Sequence, residues 1–151
     1  MVTYKRAREF EYTGFLQLMR QTTGTDYELV LNLMGMDWEG FAHRFRTTGQ
    51  VYGIYENDDL AGFYWVEMRE DTLHLHGLIV SGEFQRKGIG TEVLHKIESE
   101  YGDLVSRIEL GVDQANTRAK ALYERLGYHV VKTLDDVDFC VMQKVLANRK
   151  S

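Results

Sequence analysis

The sequence predicts an α/β fold built on a mixed sheet. Three apolar runs rich in aromatic and β-branched residues follow one another in the middle of the chain, with turn residues between the first two. Such runs are typical of neighbouring antiparallel strands. Two segments with apolar residues at helical spacing come later, and strand-like runs follow each of them. The predicted order is therefore a strand, two helices, three strands, a helix, a strand, a helix and two strands.

The N-terminal part combines one predicted strand with two helical segments. Residues 2–8 form the short opening strand. Residues 25–46 form the second, longer helical segment, which is interrupted near Gly35, and Thr25 and Asp26 stand where its N-terminal cap is expected. The first helical segment covers residues 9–22 and places Phe15, Leu18 and Met19 on one face.

The three central strands begin with a hairpin. Residues 50–57 and 60–69 carry the aromatic and β-branched side chains, and Asn57, Asp58 and Asp59 lie between them. This arrangement is a hairpin signal. Residues 72–80 form the third apolar run, so three antiparallel strands are expected in succession.

The C-terminal half alternates helices with strands. A helix is expected over residues 90–102, with Gly102 as its terminator. Residues 107–112 alternate as a strand, and residues 116–128 form a further helix that Gly127 stops. The apolar face of the first of these helices comprises Ile89, Val93, Leu94, Ile97 and Tyr101. Two final strands are expected over residues 128–134 and 136–146.

Length, composition and charge are those of one globular domain. The chain has 151 residues, of which 44% are hydrophobic and 27% charged, and it is long enough to bury a core. Its formal net charge is −5. This balance argues against nucleic acid as the main partner, because binding to the phosphate backbone needs a concentrated basic surface. We therefore predict a single domain over residues 1–151.

Segment hydropathy and cysteine use predict a cytoplasmic protein. No apolar run approaches the roughly 20 residues that span a bilayer, and no apolar segment follows the basic N-terminal residues as in a signal peptide. Cys140 is the single cysteine, which excludes an internal disulfide and suits a reducing compartment. A lone cysteine in a strand-like run commonly packs as a small apolar residue, so we do not expect a nucleophile there.

The segment VSGEFQRKGIGTEVL, residues 80–94, presents two glycines behind basic side chains. A loop that follows a strand and opens into a helix offers unpaired N–H groups at the positive end of the helix dipole. Gly88 and Gly90 permit close approach of the backbone, and Arg86 and Lys87 add cationic donors. The loop alone leaves two alternatives, a phosphate site and a solvated basic turn. Its glycine spacing fits neither the P-loop nor the dinucleotide-binding fingerprint.

Two segments together resemble a known family. QRKGIG, residues 85–90, matches the Gln/Arg-x-x-Gly-x-Gly/Ala signature of the GNAT superfamily of acyl-CoA N-acyltransferases. NTRAKALYERLGY, residues 116–128, is similar to the second conserved segment of that superfamily. The matching positions are Asn116, Ala119, Leu122, Tyr123, Leu126, Gly127 and Tyr128. Gly82 and Glu83 stand where a proline often precedes the loop in this family, which leaves the local turn geometry open.

The resemblance covers nearly the whole chain and implies a fold and a cosubstrate. The implied fold is a mostly antiparallel central sheet, splayed at the cofactor site and flanked by helices. The implied cosubstrate is acetyl-CoA, with its pyrophosphate on the backbone amides from Arg86 to Gly90. The Val80 backbone would pair with the pantetheine arm, and the Leu78 N–H would act as an oxyanion donor to the thioester carbonyl. The implied cofactor-binding residues are Leu78, Val80, Gln85, Arg86, Lys87, Gly88, Ile89, Gly90, Asn116 and Tyr123.

Tyr123 is the candidate acid for the departing thiolate. In the family the matching tyrosine lies near the CoA sulfur, and a phenol with a pKa of about 10 can donate to a thiolate as it forms. The alternative is that Tyr123 is one more residue of an apolar helix face. Asn116 is expected to cap the same helix, and the resemblance adds a contact to the pantetheine arm.

The sequence leaves the general base open. His74 shares side-chain parity with Leu78 on the strand before the loop, and it stands where a catalytic glutamate lies in some family members. An imidazole that titrates near pH 6.5 can accept a proton directly or through water. Glu67 on the neighbouring strand is the second candidate, and proton loss through ordered water without a dedicated base is the third. His74 and His76 have no third ligand nearby, so no metal is expected.

These patterns predict an acetyl-CoA-dependent N-acetyltransferase in which a primary amine attacks the thioester directly in a ternary complex. The alternative is a non-catalytic module of the same fold that senses acyl-CoA or serves as a partner subunit. The expected partners are acetyl-CoA and an amine, small molecule or peptide, with no membrane and with a homodimer left open. Candidates to line the amine pocket, most of them expected in the core or on the solvated surface, are Trp38, Tyr52, Tyr55, Phe63, Tyr64, Trp65, Asp37, Glu39 and Glu67.

Overall fold

The computed structural model describes residues 2–22, 31–32 and 35–146. In these ranges the helices are α1 (Tyr12–Thr22), α2 (Trp38–Thr47), α3 (Ile89–Tyr101) and α4 (Thr117–Arg125). The strands are β1 (Val2–Arg6), β2 (Gln50–Glu56), β3 (Asp59–Arg69), β4 (Thr72–Val80), β5 (Arg107–Asp113), β6 (His129–Leu134) and β7 (Phe139–Val145). None of the helices described here has both the length and the hydropathy needed to cross a membrane.

The strands form one mixed sheet in the order β1-β2-β3-β4-β5-β7-β6. The pairs β1/β2, β5/β7 and β6/β7 are antiparallel, whereas β4 and β5 run parallel. The prediction of a mixed, mostly antiparallel sheet is therefore confirmed. The sequence indicated a final strand pair, and the structure adds that β7 lies between β5 and β6 because it pairs with both.

Most predicted elements appear within a residue or two of their expected ends. The strand expected over residues 72–80 is β4, and the first helical segment opens with a short 3₁₀ turn over Glu9–Glu11 before α1. The expected caps Thr25 and Asp26 lie outside the described residues. Asp37, considered as an acid for the amine pocket, is the N-cap of α2, and its carboxylate accepts a hydrogen bond from the Gly40 N–H at 2.8 Å.

The chain divides into two compact units, and the boundaries fall within β3 and β4 and after Gln85. The first unit comprises Met1–Trp65 and Leu78–Gln85. Its core gathers residues from α1, α2 and the strands: Tyr12, Phe15, Leu16, Met19, Phe45, Val51, Phe63, Trp65 and Ile79. The rings of Phe45 and Trp65 meet edge to face with 5.1 Å between their centroids. The expectation that most hairpin aromatics belong to the core is met, because Phe63, Tyr64 and Trp65 are buried.

The second unit comprises Val66–Gly77 and Arg86–Ser151. Along β4, Leu73 and Leu75 are buried, whereas His74 and His76 of the opposite parity are partly exposed. Residues of α3, β5 and β7 complete the apolar core on the leucine side: Val93, Leu94, Ile97, Ile108, Leu110, Cys140 and Met142. Cys140 is buried and therefore packs as a core residue. This burial also raises the pKa of its thiol. The sheet of this unit thus has one apolar face and one polar face.

Candidate active site

The helix α3 opens on a glycine in the left-handed conformation. Gly88 has φ 79° and forms the N-cap of α3, and its carbonyl accepts the Glu92 N–H at 3.0 Å. A glycine cap supplies no side-chain acceptor to the N–H groups of the first turn. Those N–H groups, together with the positive end of the helix dipole, favour an anion at this point.

Glycine is required at the two loop positions, 88 and 90, for different structural reasons. Nothing lies near the position that a Cβ on Gly88 would take, so Gly88 is required by its backbone angle. Gly90 lies inside α3, and a Cβ there would come 3.3 Å from the Leu122 Cδ2 of α4. Arg86 also adopts a positive φ, 66°. A non-glycine residue in this region costs on the order of 1–3 kcal/mol, and such strain often accompanies functional sites.

In the first unit, neighbouring groups hold the end of β4, where Leu78 and Val80 lie. The Gln85 side chain donates from Nε2 to the Val80 carbonyl at 2.8 Å, and the Ser81 N–H donates to the Ala61 carbonyl at 2.8 Å. A Cβ on Gly62 of β3 would overlap the Ile79 carbonyl oxygen and would come 3.0 Å from the Val80 Cα. The absence of a side chain at Gly62 therefore allows β3 to approach the backbone of β4.

Sequence reasoning did not identify Gly62. An isolated glycine inside a strand pattern is a weak signal of close backbone approach, and Gly62 within LAGFYWV carries that signal. The sequence could not say which backbone would approach it.

The parallel pairing of β4 with β5 covers only part of each strand. The registered pairs run from Thr72 with Arg107 to Leu75 with Leu110. Past this last pair β4 continues to Val80 and β5 continues to Asp113.

Tyr123 is fixed by the way α4 ends. The Gly127 N–H donates to the Glu124 carbonyl at 3.1 Å, and the Tyr128 N–H donates to the Tyr123 carbonyl at 2.9 Å. With Gly127 at φ 99°, these bonds form a Schellman motif, which commonly brings the residue after the glycine against the last turn of the helix. Accordingly, the Tyr123 and Tyr128 rings lie 6.0 Å apart. Burial raises the pKa of Tyr123 to about 12, so its phenol is protonated at neutral pH.

Asn116 caps α4. Its side-chain Oδ1 accepts a hydrogen bond from the Ala119 N–H at 3.2 Å. The capping role expected from the sequence is therefore present, and the contact to a pantetheine arm stays a prediction.

Two carboxylate–imidazole pairs lie on the polar face of the second unit. Glu67 Oε1 and His76 Nε2 are 2.7 Å apart, and Glu109 Oε2 and His74 Nδ1 are 3.0 Å apart. The two imidazole rings are nearly parallel, with 5.8 Å between their centroids and 14° between their planes. Glu109 is opposite His74 in the β4/β5 register. The two candidate bases, Glu67 and His74, thus belong to separate pairs.

Each carboxylate has a further partner. The Arg69 guanidinium lies 2.9 Å from the same Glu67 oxygen that faces His76. Gln143 is opposite Glu109 in the β5/β7 register, and its Nε2 donates to Glu109 Oε1 at 2.9 Å. A continuous polar row therefore crosses β3, β4, β5 and β7.

The environment sets the protonation state of the first pair. Burial lowers the pKa of His76, and the neighbouring Glu67 offsets this only in part. Burial alone would raise the pKa of Glu67, but the hydrogen bonds from Arg69 and His76 bring it below its usual value. At neutral pH the pair therefore combines an anionic carboxylate with a neutral imidazole. Among the described residues, no group of three or more His, Cys, Asp or Glu side chains is arranged to hold a metal ion.

The mixed sheet, the glycine-capped helix and the Tyr123 segment match one family of enzymes. The profile of the acetyltransferase (GNAT) family matches residues 16–128. The chain belongs to this family, and the resemblance inferred from QRKGIG and NTRAKALYERLGY is confirmed.

One curated relative and many solved structures are similar to the chain. A mycothiol acetyltransferase of Propionibacterium freudenreichii subsp. shermanii is 31% identical over 107 residues, which cover 68% of this chain and 32% of the relative. The match thus spans about a third of the length of that relative.

Two of the similar structures show how widely the fold is shared. The ribosomal-protein-S18-alanine N-acetyltransferase of Escherichia coli aligns over 100% of this chain and 99% of its own with a TM-score of 0.74 and 20% identity. A GNAT family acetyltransferase of Elizabethkingia anophelis with acetyl-CoA bound aligns over 96% and 98% with a TM-score of 0.69 and 16% identity. At such identities the likeness shows the fold alone, and it confirms the predicted fold class.

Proposed function

We propose that this protein transfers an acetyl group from acetyl-CoA to a primary amine by direct attack in a ternary complex. The observation that carries the proposal is the opening of α3, where Gly88 in the left-handed conformation leaves the first-turn N–H groups without a side-chain acceptor. Arg86 and Lys87 precede this opening. Family membership supports acetyl-CoA as the anion-bearing cosubstrate, and the Elizabethkingia relative has acetyl-CoA bound.

The cosubstrate is expected to occupy the backbone around the loop. The amides from Arg86 to Gly90, including Ile89, bind the pyrophosphate, with Gln85 and Lys87 beside them. The Val80 backbone and Asn116 contact the pantetheine arm. This assignment is supported by the Gln85 bond to the Val80 carbonyl, since a loop fixed to the strand end is pre-organised for its ligand.

Two groups stabilise the negative charge that develops during the reaction. The Leu78 N–H donates to the thioester oxygen as negative charge develops there, and Tyr123 donates to the departing sulfur. Because the pKa of Tyr123, about 12, exceeds the roughly 8.5 of a free thiol, Tyr123 begins as a hydrogen-bond donor to the thiolate. The nitrogen loses a proton when the amide forms, and that proton balances the one that the sulfur gains.

The acceptor class is a primary amine, small molecule or peptide. The Escherichia coli neighbour is named for an alanine of ribosomal protein S18, so a peptide with an N-terminal alanine belongs in the first set of amines tested. The buried Cys140 fits a protein that acts in a reducing compartment such as the cytoplasm.

The test measures release of free CoA thiol from acetyl-CoA with five amines: an alanine-terminated peptide, a lysine-containing peptide, spermidine, kanamycin and 2-phenylethylamine. Wild-type turnover of at least one amine is expected. Tyr123→Phe should lower kcat by on the order of 100-fold while the KM for acetyl-CoA stays within a factor of two or so. Tyr128→Phe is the matched control, because Tyr128 is a buried tyrosine beside Tyr123 whose hydroxyl has no hydrogen-bond partner in the described structure.

Three outcomes count against the proposal. Unchanged turnover by Tyr123→Phe removes the acid assignment. Thermal stabilisation by acetyl-CoA without turnover of any amine favours a sensing module. If acetyl-CoA does not stabilise the protein thermally, that result contradicts both the acetyl-transfer function and the sensing module.

A further inference from the structure

The strand β6 is the last strand of the sheet, and it is exposed along its whole length. The sheet order ends with β5-β7-β6, so among the described strands only β7 pairs with β6. All six residues from His129 to Leu134 are exposed. They include Val130 and Val131, with relative exposures of 42% and 46%. The outer N–H and C=O groups of such a strand are a template for pairing with another strand.

The sequence of β6 protects this edge only weakly. Sheet edges are commonly blunted by proline, by charged side chains or by bulges. HVVKTL, residues 129–134, contains no proline and a single lysine, Lys132, and three of its six residues are β-branched, which favours a strand. The register with β7 shifts between Val130 and Lys132, so Val131 has no partner in the ladder and stays exposed. The edge therefore presents apolar side chains together with backbone groups.

The two ends of β6 differ in charge. Arg125, in the last turn of α4, and His129 lie at its beginning, whereas Asp135 and Asp136 follow its end. Among the described residues, none of these four side chains has an ion-pair partner. A second β6 added in the antiparallel direction brings its acidic end beside the basic end of the first, and its basic end beside the acidic one. A parallel addition brings like charges together, which is unfavourable.

We propose that the outer edge of β6 pairs with β6 of a second copy of this chain, in the antiparallel direction and about a two-fold axis near Val131. A second copy matches what the edge presents: backbone groups, exposed valines and opposite charge at each end. In a two-fold interface each contact occurs twice. This interface concerns the assembly of the protein and does not depend on the acetyl-transfer function.

An axis at Val131 separates the two lysines of the dimer. In this register the Val131 residues of the two copies lie opposite each other, and each Val130 lies opposite Lys132 of the second copy. The aliphatic stem of Lys132 then covers the valine while its ammonium stays in solvent. By the same count Asp136 comes level with residue 126 of the second copy, next to Arg125. An axis at Lys132 would place the two lysines opposite each other, which is destabilising.

Sedimentation equilibrium of the full chain tests the interface. The wild type is expected to sediment as a dimer at about 100 µM and to dissociate in part at about 1 µM, because association follows mass action. Val131→Asp should raise the dissociation constant by about 100-fold or more, since the substitution is present twice and the two carboxylates meet at the axis. Leu104→Asp is the matched control and should associate as the wild type does, because Leu104 is an exposed leucine in the segment between α3 and β5.

An exchange of charges tests the antiparallel direction. One double variant, Asp135→Lys with Asp136→Lys, has basic groups at both ends of β6, and a second, Arg125→Glu with His129→Glu, has acidic groups at both ends. Each alone should dimerise about tenfold or more weakly than the wild type, because like charges then meet. An equal mixture of the two should form a mixed dimer with nearly wild-type affinity, since opposite charges meet at both ends. Salt at about 0.5 M should reduce these differences by screening.

Circular dichroism and thermal melting of each variant separate loss of the dimer from loss of the fold. The substituted residues are all exposed, and surface substitutions usually have small effects on stability. The charge variants keep the proposal testable if Val131→Asp does not fold, because recovery of the dimer in their mixture requires that both are folded.

Three results overturn the proposal. A wild type that stays monomeric at the highest concentration shows that the edge of β6 is protected rather than paired. A folded Val131→Asp variant that dimerises as well as Leu104→Asp places the interface elsewhere. A mixture of the two charge variants that associates no better than each alone excludes antiparallel pairing of two β6 strands. Amine turnover is measured separately, so failure of the acetyl-transfer function leaves this interface standing.

Discussion

Glycine is required in the strands and in the loop for different physical reasons. Gly62 lies inside β3, where the Ile79 carbonyl and the Val80 Cα occupy the space of a side chain. Gly88 has open space around it and is required by a φ of 79°. One position is fixed by a neighbouring backbone and the other by its own backbone angle. A glycine in a strand therefore reports on packing, whereas a glycine that caps a helix reports on a turn that a ligand can use.

Gly111 and Gly90 extend the comparison to side-chain neighbours. A Cβ on Gly111 of β5 would come 2.8 Å from the Phe139 Cζ, and a Cβ on Gly90 would come 3.3 Å from the Leu122 Cδ2. An aromatic ring on a neighbouring strand moves as one rigid group, while a leucine methyl shifts at little cost. Gly62, Gly111 and Gly90 thus form a graded series, from a backbone neighbour that cannot move to a methyl that can.

Gly62→Ala should have the largest effect. The added methyl meets backbone atoms of β4, so one of the two strands must shift. We expect a loss of about 3 kcal/mol or more in the free energy of unfolding, at the upper end of overpacking effects. Urea denaturation measures it. Gly82→Ala, where nothing lies near the Cβ position, is the matched control, and a Gly62→Ala stability close to that of the control would contradict the argument.

Gly111→Ala should cost less, about 1–3 kcal/mol, because the Phe139 ring must move but the backbone need not. A double-mutant cycle with Phe139→Leu isolates the contact. The combined variant should recover at least about 1 kcal/mol relative to the sum of the single losses, since residues in contact are non-additive. Additive losses in denaturant unfolding would show that the ring is not what Gly111 accommodates.

Features that depend on a few neighbouring residues could be predicted from the sequence, whereas features that depend on distant segments could not. Local patterns sufficed for β4 over Thr72–Val80, for the helix that opens at Ile89 and for the stop at Gly127. These features depend on period, capping and turn chemistry within a few residues. The two motif segments added the family, because each is itself a short local pattern.

Long-range pairing could not be predicted in the same way. The position of β7 between β5 and β6 joins segments that are far apart in sequence. The pairing of Glu67 with His76 rather than His74 depends on the register between β3 and β4. A shift of two residues would pair Glu67 with His74 instead, and a shift of one would turn Glu67 to the other face of the sheet. The backbone atoms that lie beside Gly62 are likewise set by the register between β3 and β4. The partners of the two candidate bases, Glu67 and His74, therefore needed the structure, whereas the candidate acid, Tyr123, followed from its motif.

Gly88→Ala should cost about 1 kcal/mol in stability, because an L-residue in the left-handed region loses roughly 1–2 kcal/mol. Gly88→Asn should recover most of that loss, since asparagine tolerates this region better. If the loop binds pyrophosphate, acetyl-CoA affinity should follow the same order in isothermal titration: glycine first, asparagine second, alanine last. Equal stability of the alanine and asparagine variants would contradict a role set by backbone angle.

Gly90→Ala should have the smallest effect on stability, within about 0.5 kcal/mol of wild type. Alanine gains up to about 1 kcal/mol over glycine inside a helix, and displacement of the Leu122 methyl offsets that gain. Acetyl-CoA affinity provides the separate measurement. Weaker binding by a variant of unchanged stability shows that close approach of a ligand, as well as packing of α3 on α4, requires glycine here. Unchanged binding assigns Gly90 to helix packing alone and leaves Gly88 as the one loop glycine that serves the cosubstrate.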